Sequence, residues 1–116
     1  MVKDETSLYY GSSTTHIPIF VYNARMQKRL ACRITGRVQL VMFRDFTRRK
    51  AKARNIVGTV KNELDGSVSV VAEGEGKALE ALVRDLNRGP FLAHVDHVEA
   101  MWGEPQGMWK DFTIVY

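Results

Sequence analysis

Residues 36–44, with the sequence GRVQLVMFR, have the composition of an anion-binding turn. They follow a stretch that alternates like a strand and lead into a stretch that suits a helix. The first backbone N–H groups of a helix have no partner within it, and the helix dipole favours negative charge at that end. Arg44 adds a guanidinium that binds two oxygen atoms at once. The segment therefore predicts a phosphate or carboxylate site, and the alternative is an ordinary connection with Arg44 in solvent.

Positive charge is concentrated around this segment. Residues 29–60 contain nine Lys and Arg against one acidic residue, Asp45, whereas residues 61–116 contain five against ten. The net charge of the chain is +4. Because a concentrated positive field attracts anions, the pattern fits phosphorylated metabolites and nucleic acid equally well.

Hydrophobic spacing and turn residues predict the elements that position this segment. Leu30, Cys32 and Ile34 alternate with more polar residues, as in a half-buried strand. Leucines and a valine at i, i+3, i+4 and i+7 predict a helix that ends before Gly89-Pro90. The full prediction is a strand at 29–35, a helix at 45–55, strands at 58–62 and 67–73 around the turn Asp65-Gly66, a helix at 77–88, and strands at 93–101 and 109–116. This β-α-β-β-α-β order with one further strand predicts an α+β, ferredoxin-like sandwich, with a mostly antiparallel sheet and two helices on one face.

Two blocks of the sequence resemble the signatures of the acylphosphatase family. Residues 36–44 are similar to the family pattern Gly-x-Val-Gln-Gly-Val-x-Phe-Arg, and residues 58–62 (GTVKN) with 64–74 (LDGSVSVVAEG) resemble its second block. The resemblance covers about residues 29–116, in the expected element order. It implies an enzyme that hydrolyses the carboxyl-phosphate bond of small acyl phosphates to carboxylate and inorganic phosphate.

The resemblance also implies the site residues. The catalytic arginine of the family falls on Arg44, and its catalytic asparagine falls on Asn62. The phosphoryl oxygens would be bound by backbone N–H groups of a phosphate-binding loop. The residues of that loop are Arg37, Val38, Gln39, Leu40, Val41, Met42 and Phe43. The reaction implied in this way needs no cofactor and no metal.

Leu40 departs from the family pattern, which has glycine at this position. If the loop requires a positive φ here, leucine costs about 1–2 kcal/mol and places a bulky side chain beside the phosphate. The departure predicts either a different path for the loop or a weaker site.

The remaining residues that could do chemistry have structural explanations. His94 and His97 are three residues apart on a predicted strand, where such residues face opposite sides, so they predict surface histidines rather than metal ligands. The basic run at 48–54 predicts a solvated helix face, and Trp102 and Trp109 predict packing residues beside a loop.

The length of 116 residues fits one domain. Residues 1–28 show no sustained hydrophobic periodicity. This pattern predicts a flexible or loosely attached N-terminal extension, followed by a domain at 29–116. Cys32, the single cysteine, has a core-facing position that predicts a buried thiol. One thiol and no visible targeting segment indicate the cytoplasm, and we expect a monomer.

Two alternative functions stay open at this point. One is a catalytically silent relative that binds phosphate, for which Leu40 is the only support. The other is an RNA-binding module, since the same fold order is found in domains whose sheet aromatics stack on bases. The strand at 30–35 has no aromatic residue, so we expect no nucleic-acid partner, and we expect no membrane partner either.

Overall fold

The computed structural model describes residues 26–116, which form two helices and a five-stranded sheet. Residues 1–25, and with them most of the extension expected at 1–28, lie outside the described residues. Gln27 and Lys28 belong to the first strand. The elements are β1 (Gln27–Arg37), α1 (Phe43–Ala53), β2 (Val57–Asn62), β3 (Val68–Glu75), α2 (Gly76–Arg88), β4 (His94–Gly103) and β5 (Phe112–Val115).

The sheet has the strand order β4-β1-β3-β2-β5. All neighbouring strands are antiparallel except β2 and β5, which are parallel. Both helices pack on one face, α1 over β2 and β5, and α2 over β1, β3 and β4. This arrangement confirms the predicted ferredoxin-like α+β fold.

The core lies between the helices and the sheet. Leu30, Cys32 and Ile34 of β1 are buried in it, as their alternation predicts. The leucines of the α2 stripe are fully buried above them. α1 has a weaker apolar face, but Phe43, Phe46 and Ala51 are all buried. The ion pair of Arg54 with the buried Asp85, at 2.9 Å, joins the end of α1 to α2. None of the described helices has the length and apolar character needed to cross a membrane.

The segment between β4 and β5 crosses the sheet face that is opposite to the helices. Glu73, on β3, lies beneath it, and its carboxylate accepts hydrogen bonds from the backbone N–H groups of Gln106 (2.7 Å) and Gly107 (3.0 Å). Arg29 donates to the same carboxylate at 3.0 Å and stacks over the ring of Trp109. Trp109 is part of this crossing segment, and β5 begins only at Phe112, so it is shorter than the strand predicted at 109–116.

Candidate active site

The loop between β1 and α1 is fixed to the rest of the fold by two of its own side chains. Val38 is buried in the core. The side-chain amide of Gln39 donates to the carbonyl oxygens of Glu63 and Ser67, each at 2.8 Å, and so fastens the loop to the β2–β3 turn. Gln39 thus acts through its side chain as an anchor, which positions the backbone that follows it.

The backbone of the loop then turns through two left-handed residues. Leu40 has φ 63° and Met42 has φ 66°. The glycine position of the family pattern therefore does require a positive φ, and leucine adopts it here. Within residues 26–116, no backbone N–H of residues 40–44 donates to a backbone carbonyl outside the regular elements. Backbone N–H groups left free in such a turn form a concavity that suits an anion.

One cavity of about 730 Å³ brings the central candidates together. Arg44, the second residue of α1, and Asn62, the last residue of β2, both line it. Other predicted site residues also line this cavity: Val38, Leu40, Met42 and Phe43. Arg37, Gln39 and Val41 are not among the lining residues; Arg37 ends β1, where it pairs with His94.

Each of the two candidate catalytic side chains has a polar group without a polar partner among the described residues. The guanidinium of Arg44 has no ion-pair partner within the described part of the chain, and it lies 4.8 Å from the ring centroid of Tyr116. The side-chain oxygen Oδ1 of Asn62 is buried and accepts no hydrogen bond from any described residue. A buried acceptor left unpaired costs about 1–3 kcal/mol, which a bound donor would recover. Among the described residues, the cavity therefore offers a guanidinium without an ion-pair partner and a buried acceptor without a donor.

Two other cations on α1 line the same cavity, and each lies near an acidic residue. Arg48 lies 3.4 Å from Asp45, and Lys52 lies 3.4 Å from Asp111. Both carboxyl groups stay ionised, because the pKa of each is lowered. The main cause for Asp45 is a hydrogen bond from Arg49. The main cause for Asp111 is a hydrogen bond from the backbone N–H of Phe112. Among the described residues, Arg44 is thus the lining cation with no carboxylate at ion-pair distance, whereas Arg48 shares Asp45 with Arg49 and its buried Nε has no hydrogen-bond partner.

Sequence reasoning missed several residues that line this cavity. The basic run at 48–54 predicts a solvated helix face, yet Arg48 and Lys52 also line the cavity. Their spacing of four and eight residues from Arg44 would have shown this, since such residues share one helix face. The sequence has no comparable signal for Asp111 and Tyr116, which reach the cavity only because β5 pairs with β2.

Comparison with known proteins shows the family. The family model for acylphosphatase matches residues 30–114. This chain belongs to the acylphosphatase family. An acylphosphatase of Salinibacter ruber is 44% identical over 88 residues, which are 76% of this chain and 93% of the relative. One of Thermus thermophilus is 45% identical over 86 residues, 74% of this chain and 97% of the relative.

A solved structure shows the same relationship. The crystal structure of acylphosphatase from Bacillus subtilis superimposes with a TM-score of 0.75 at 32% identity, over 77% of this chain and 99% of that one. The predicted family, fold and enzyme class are confirmed by these matches.

The other candidate residues of this acylphosphatase lie outside the cavity. His94 contacts Asp96 at 3.2 Å on the exposed surface of β4, and no group of three or more possible metal ligands occurs in residues 26–116. Burial raises the pKa of the Cys32 thiol to about 12, so the nucleophilic thiolate does not form near neutral pH. Trp102 is half-exposed on β4.

Proposed function

We propose that Arg44 and Asn62 carry out the acylphosphatase reaction in this cavity. Arg44 binds two oxygens of the phosphoryl group, and free N–H groups of the loop at residues 37–43 bind the others. Asn62 positions the attacking water. The observation that supports this assignment is that one cavity holds both a cation without an acidic partner and a buried amide oxygen without a donor, as far as residues 26–116 are concerned.

The chemistry of an acyl phosphate fits this equipment. The leaving group is a carboxylate, whose acid has a pKa of roughly 4, so it departs without a proton from the enzyme. Phosphoryl transfer depends mainly on positioning and on stabilising charge over the phosphoryl oxygens. A bidentate guanidinium and a set of fixed N–H groups supply that stabilisation.

Asn62 acts on the other reactant. A water molecule that donates a hydrogen bond to Oδ1 satisfies the unpaired acceptor and is held in line with the bond that breaks. The phosphoryl group of the substrate accepts the proton that the water loses. This scheme uses no metal, so we predict turnover that does not depend on one.

Three further expectations belong to the proposal. The chain acts in the cytoplasm, which the lone buried thiol of Cys32 supports. It works as a monomer, and its partners are the acyl phosphate and the inorganic phosphate product, with no nucleic acid among them.

The test is hydrolysis of benzoyl phosphate with EDTA present. We expect turnover by the unmodified chain and a loss of about 10²-fold or more in Arg44→Ala, which removes the main charge stabilisation. Asn62→Ala should lose turnover to a similar degree. Inorganic phosphate should still inhibit the residual turnover of this variant or protect its fold against heat, because the phosphate contacts remain. Arg44→Ala should weaken that phosphate effect as well.

Matched controls separate these roles from general damage. Arg84 and Asn87 are exposed residues of α2, away from the cavity, so Arg84→Ala and Asn87→Ala should keep full turnover. Turnover retained in Arg44→Ala or Asn62→Ala would contradict the assignment. Phosphate binding without turnover in the unmodified chain would indicate a catalytically silent phosphate-binding protein instead.

A further inference from the structure

The mouth of the cavity is apolar. Leu40 is 98% exposed and Met42 is 68% exposed, and both line the cavity that contains Arg44. Tyr116 lies at the same mouth, with its ring against the Arg44 guanidinium. Large apolar side chains that gather in solvent around a binding site indicate a contact with a ligand or partner.

Folding does not explain these side chains. Leu40 and Met42 both hold a left-handed backbone, which glycine adopts without strain. An exposed leucine recovers none of this strain through packing. Strain retained at a functional site points to a role in function, here one for the side chain itself.

The reaction geometry brings the acyl group to this mouth. In an in-line displacement, the attacking and leaving oxygens lie on opposite sides of the phosphorus. With the phosphoryl group on Arg44 and the water on the buried oxygen of Asn62, the leaving carboxylate points away from the interior. Its acyl group therefore extends toward solvent, past Leu40 and Met42.

The charges at the mouth disfavour an anionic acyl group. Arg48 and Lys52 are each held by an acidic residue, Asp45 and Asp111 respectively. A second negative charge on the substrate would lie near these two carboxylates and would compete with them for Arg48 and Lys52.

We propose that Leu40 and Met42 contact the acyl group, and that the enzyme prefers acyl phosphates with an apolar alkyl or aryl acyl group over acetyl phosphate. This inference rests on the proposed function and specifies its substrate class. It gives the leucine at the glycine position of the family a role in specificity.

A series of unbranched substrates tests it. Acetyl, butyryl and hexanoyl phosphate have leaving groups of nearly equal acidity, so a change in kcat/KM along the series reports contact with the chain rather than leaving-group chemistry. We expect kcat/KM for hexanoyl phosphate to exceed that for acetyl phosphate about tenfold. In Leu40→Asn this ratio should fall about fivefold, equal to about 1 kcal/mol.

The ratio is the decisive readout because effects on phosphate binding are common to both substrates and cancel in it. Asparagine tolerates the left-handed backbone, so Leu40→Asn removes apolar contact and keeps the loop conformation. Met42→Asn should lower the ratio in the same way. Leu64→Asn is the matched control: Leu64 is exposed, lies outside the lining of the cavity, and should leave the ratio unchanged.

The outcomes separate the two proposals. A ratio near one in the unmodified chain, or a ratio that neither variant changes, overturns the apolar specificity and leaves the reaction assignment intact. Failure to hydrolyse any acyl phosphate in the series overturns the proposed function itself.

Discussion

Among single residues, Leu40 lowers the stability of the fold and contributes to specificity. Its left-handed backbone costs about 1–2 kcal/mol relative to a residue that adopts this region freely. Packing of the side chain does not offset this cost, since the side chain lies in solvent. An enzyme that keeps leucine here gives up stability for a contact with substrate, which is a common trade-off at functional sites.

Leu40→Asn should therefore stabilise the fold while it lowers selectivity. Asparagine hydrogen-bonds locally and tolerates a positive φ, so we expect the free energy of unfolding to rise by about 0.5–1 kcal/mol. Urea denaturation followed by circular dichroism measures it. Leu64→Asn should show no such gain, and an unchanged or lower stability in Leu40→Asn would show that the left-handed leucine is not strained.

Residue types and spacing predicted an anion site at the loop and Arg44, and the resemblance to the family added Asn62. The structure brings Arg44 and Asn62 to one cavity because Arg44 lies at the start of α1 and Asn62 at the end of β2, and their catalytic roles stay predictions. Asp111 and its pairing with Lys52 could not be predicted, because the pairing depends on β5 lying beside β2, a contact between distant segments.

At the scale of elements, the segment that crosses the open sheet face determines where β5 and Tyr116 lie. It carries the chain from β4 at one edge of the sheet to β5 at the other. Glu73 fastens it at its midpoint through the backbone of Gln106 and Gly107. The sequence marks this segment only by its glycine and proline residues, and nothing in it predicts a buried carboxylate on the face of β3 opposite to the helices.

Glu73→Gln should therefore loosen the segment and destabilise the fold. The neutral amide keeps the shape but weakens three charge-assisted hydrogen bonds, for a loss of roughly 1–3 kcal/mol. Thermal or urea unfolding measures the loss. Glu99→Gln, an exposed change on β4, is the matched control. Equal stability of the two variants would show that Glu73 does not hold the segment.

Across the fold as a whole, ion pairs between the two halves of the chain offset part of the charge asymmetry of the sequence. Basic residues of the first half pair with acidic residues of the second half across the fold. These pairs are Arg29 with Glu73, Arg33 with Asp65, Lys52 with Asp111 and Arg54 with Asp85. Four of the nine basic residues at 29–60 are thus paired with carboxylates of the second half, and Arg44 has no ion-pair partner among the described residues.

The same pairing makes the fold sensitive to acid. Hydrogen bonds from Ser67 and Arg33 lower the pKa of Asp65. Burial pushes the pKa of Glu73 up, but the backbone N–H groups of the crossing segment and Arg29 outweigh it, so this pKa also ends below its usual value. A carboxyl group with a lowered pKa in the folded state stabilises the fold above its unfolded pKa, and this contribution is lost as the pH falls through the folded pKa.

We therefore expect the urea midpoint to stay level from about pH 6 to 8 and to fall steadily below about pH 4–5, where unfolded carboxyl groups begin to take up protons. Protonation also adds to a net charge that is already +4, and the resulting repulsion acts in the same direction. Glu73→Gln should flatten part of this decline, because one of the titrating groups is gone. A midpoint that stays constant down to pH 3 would mean that these carboxylates bind protons alike in the folded and unfolded chain, which their ion pairs and backbone hydrogen bonds argue against.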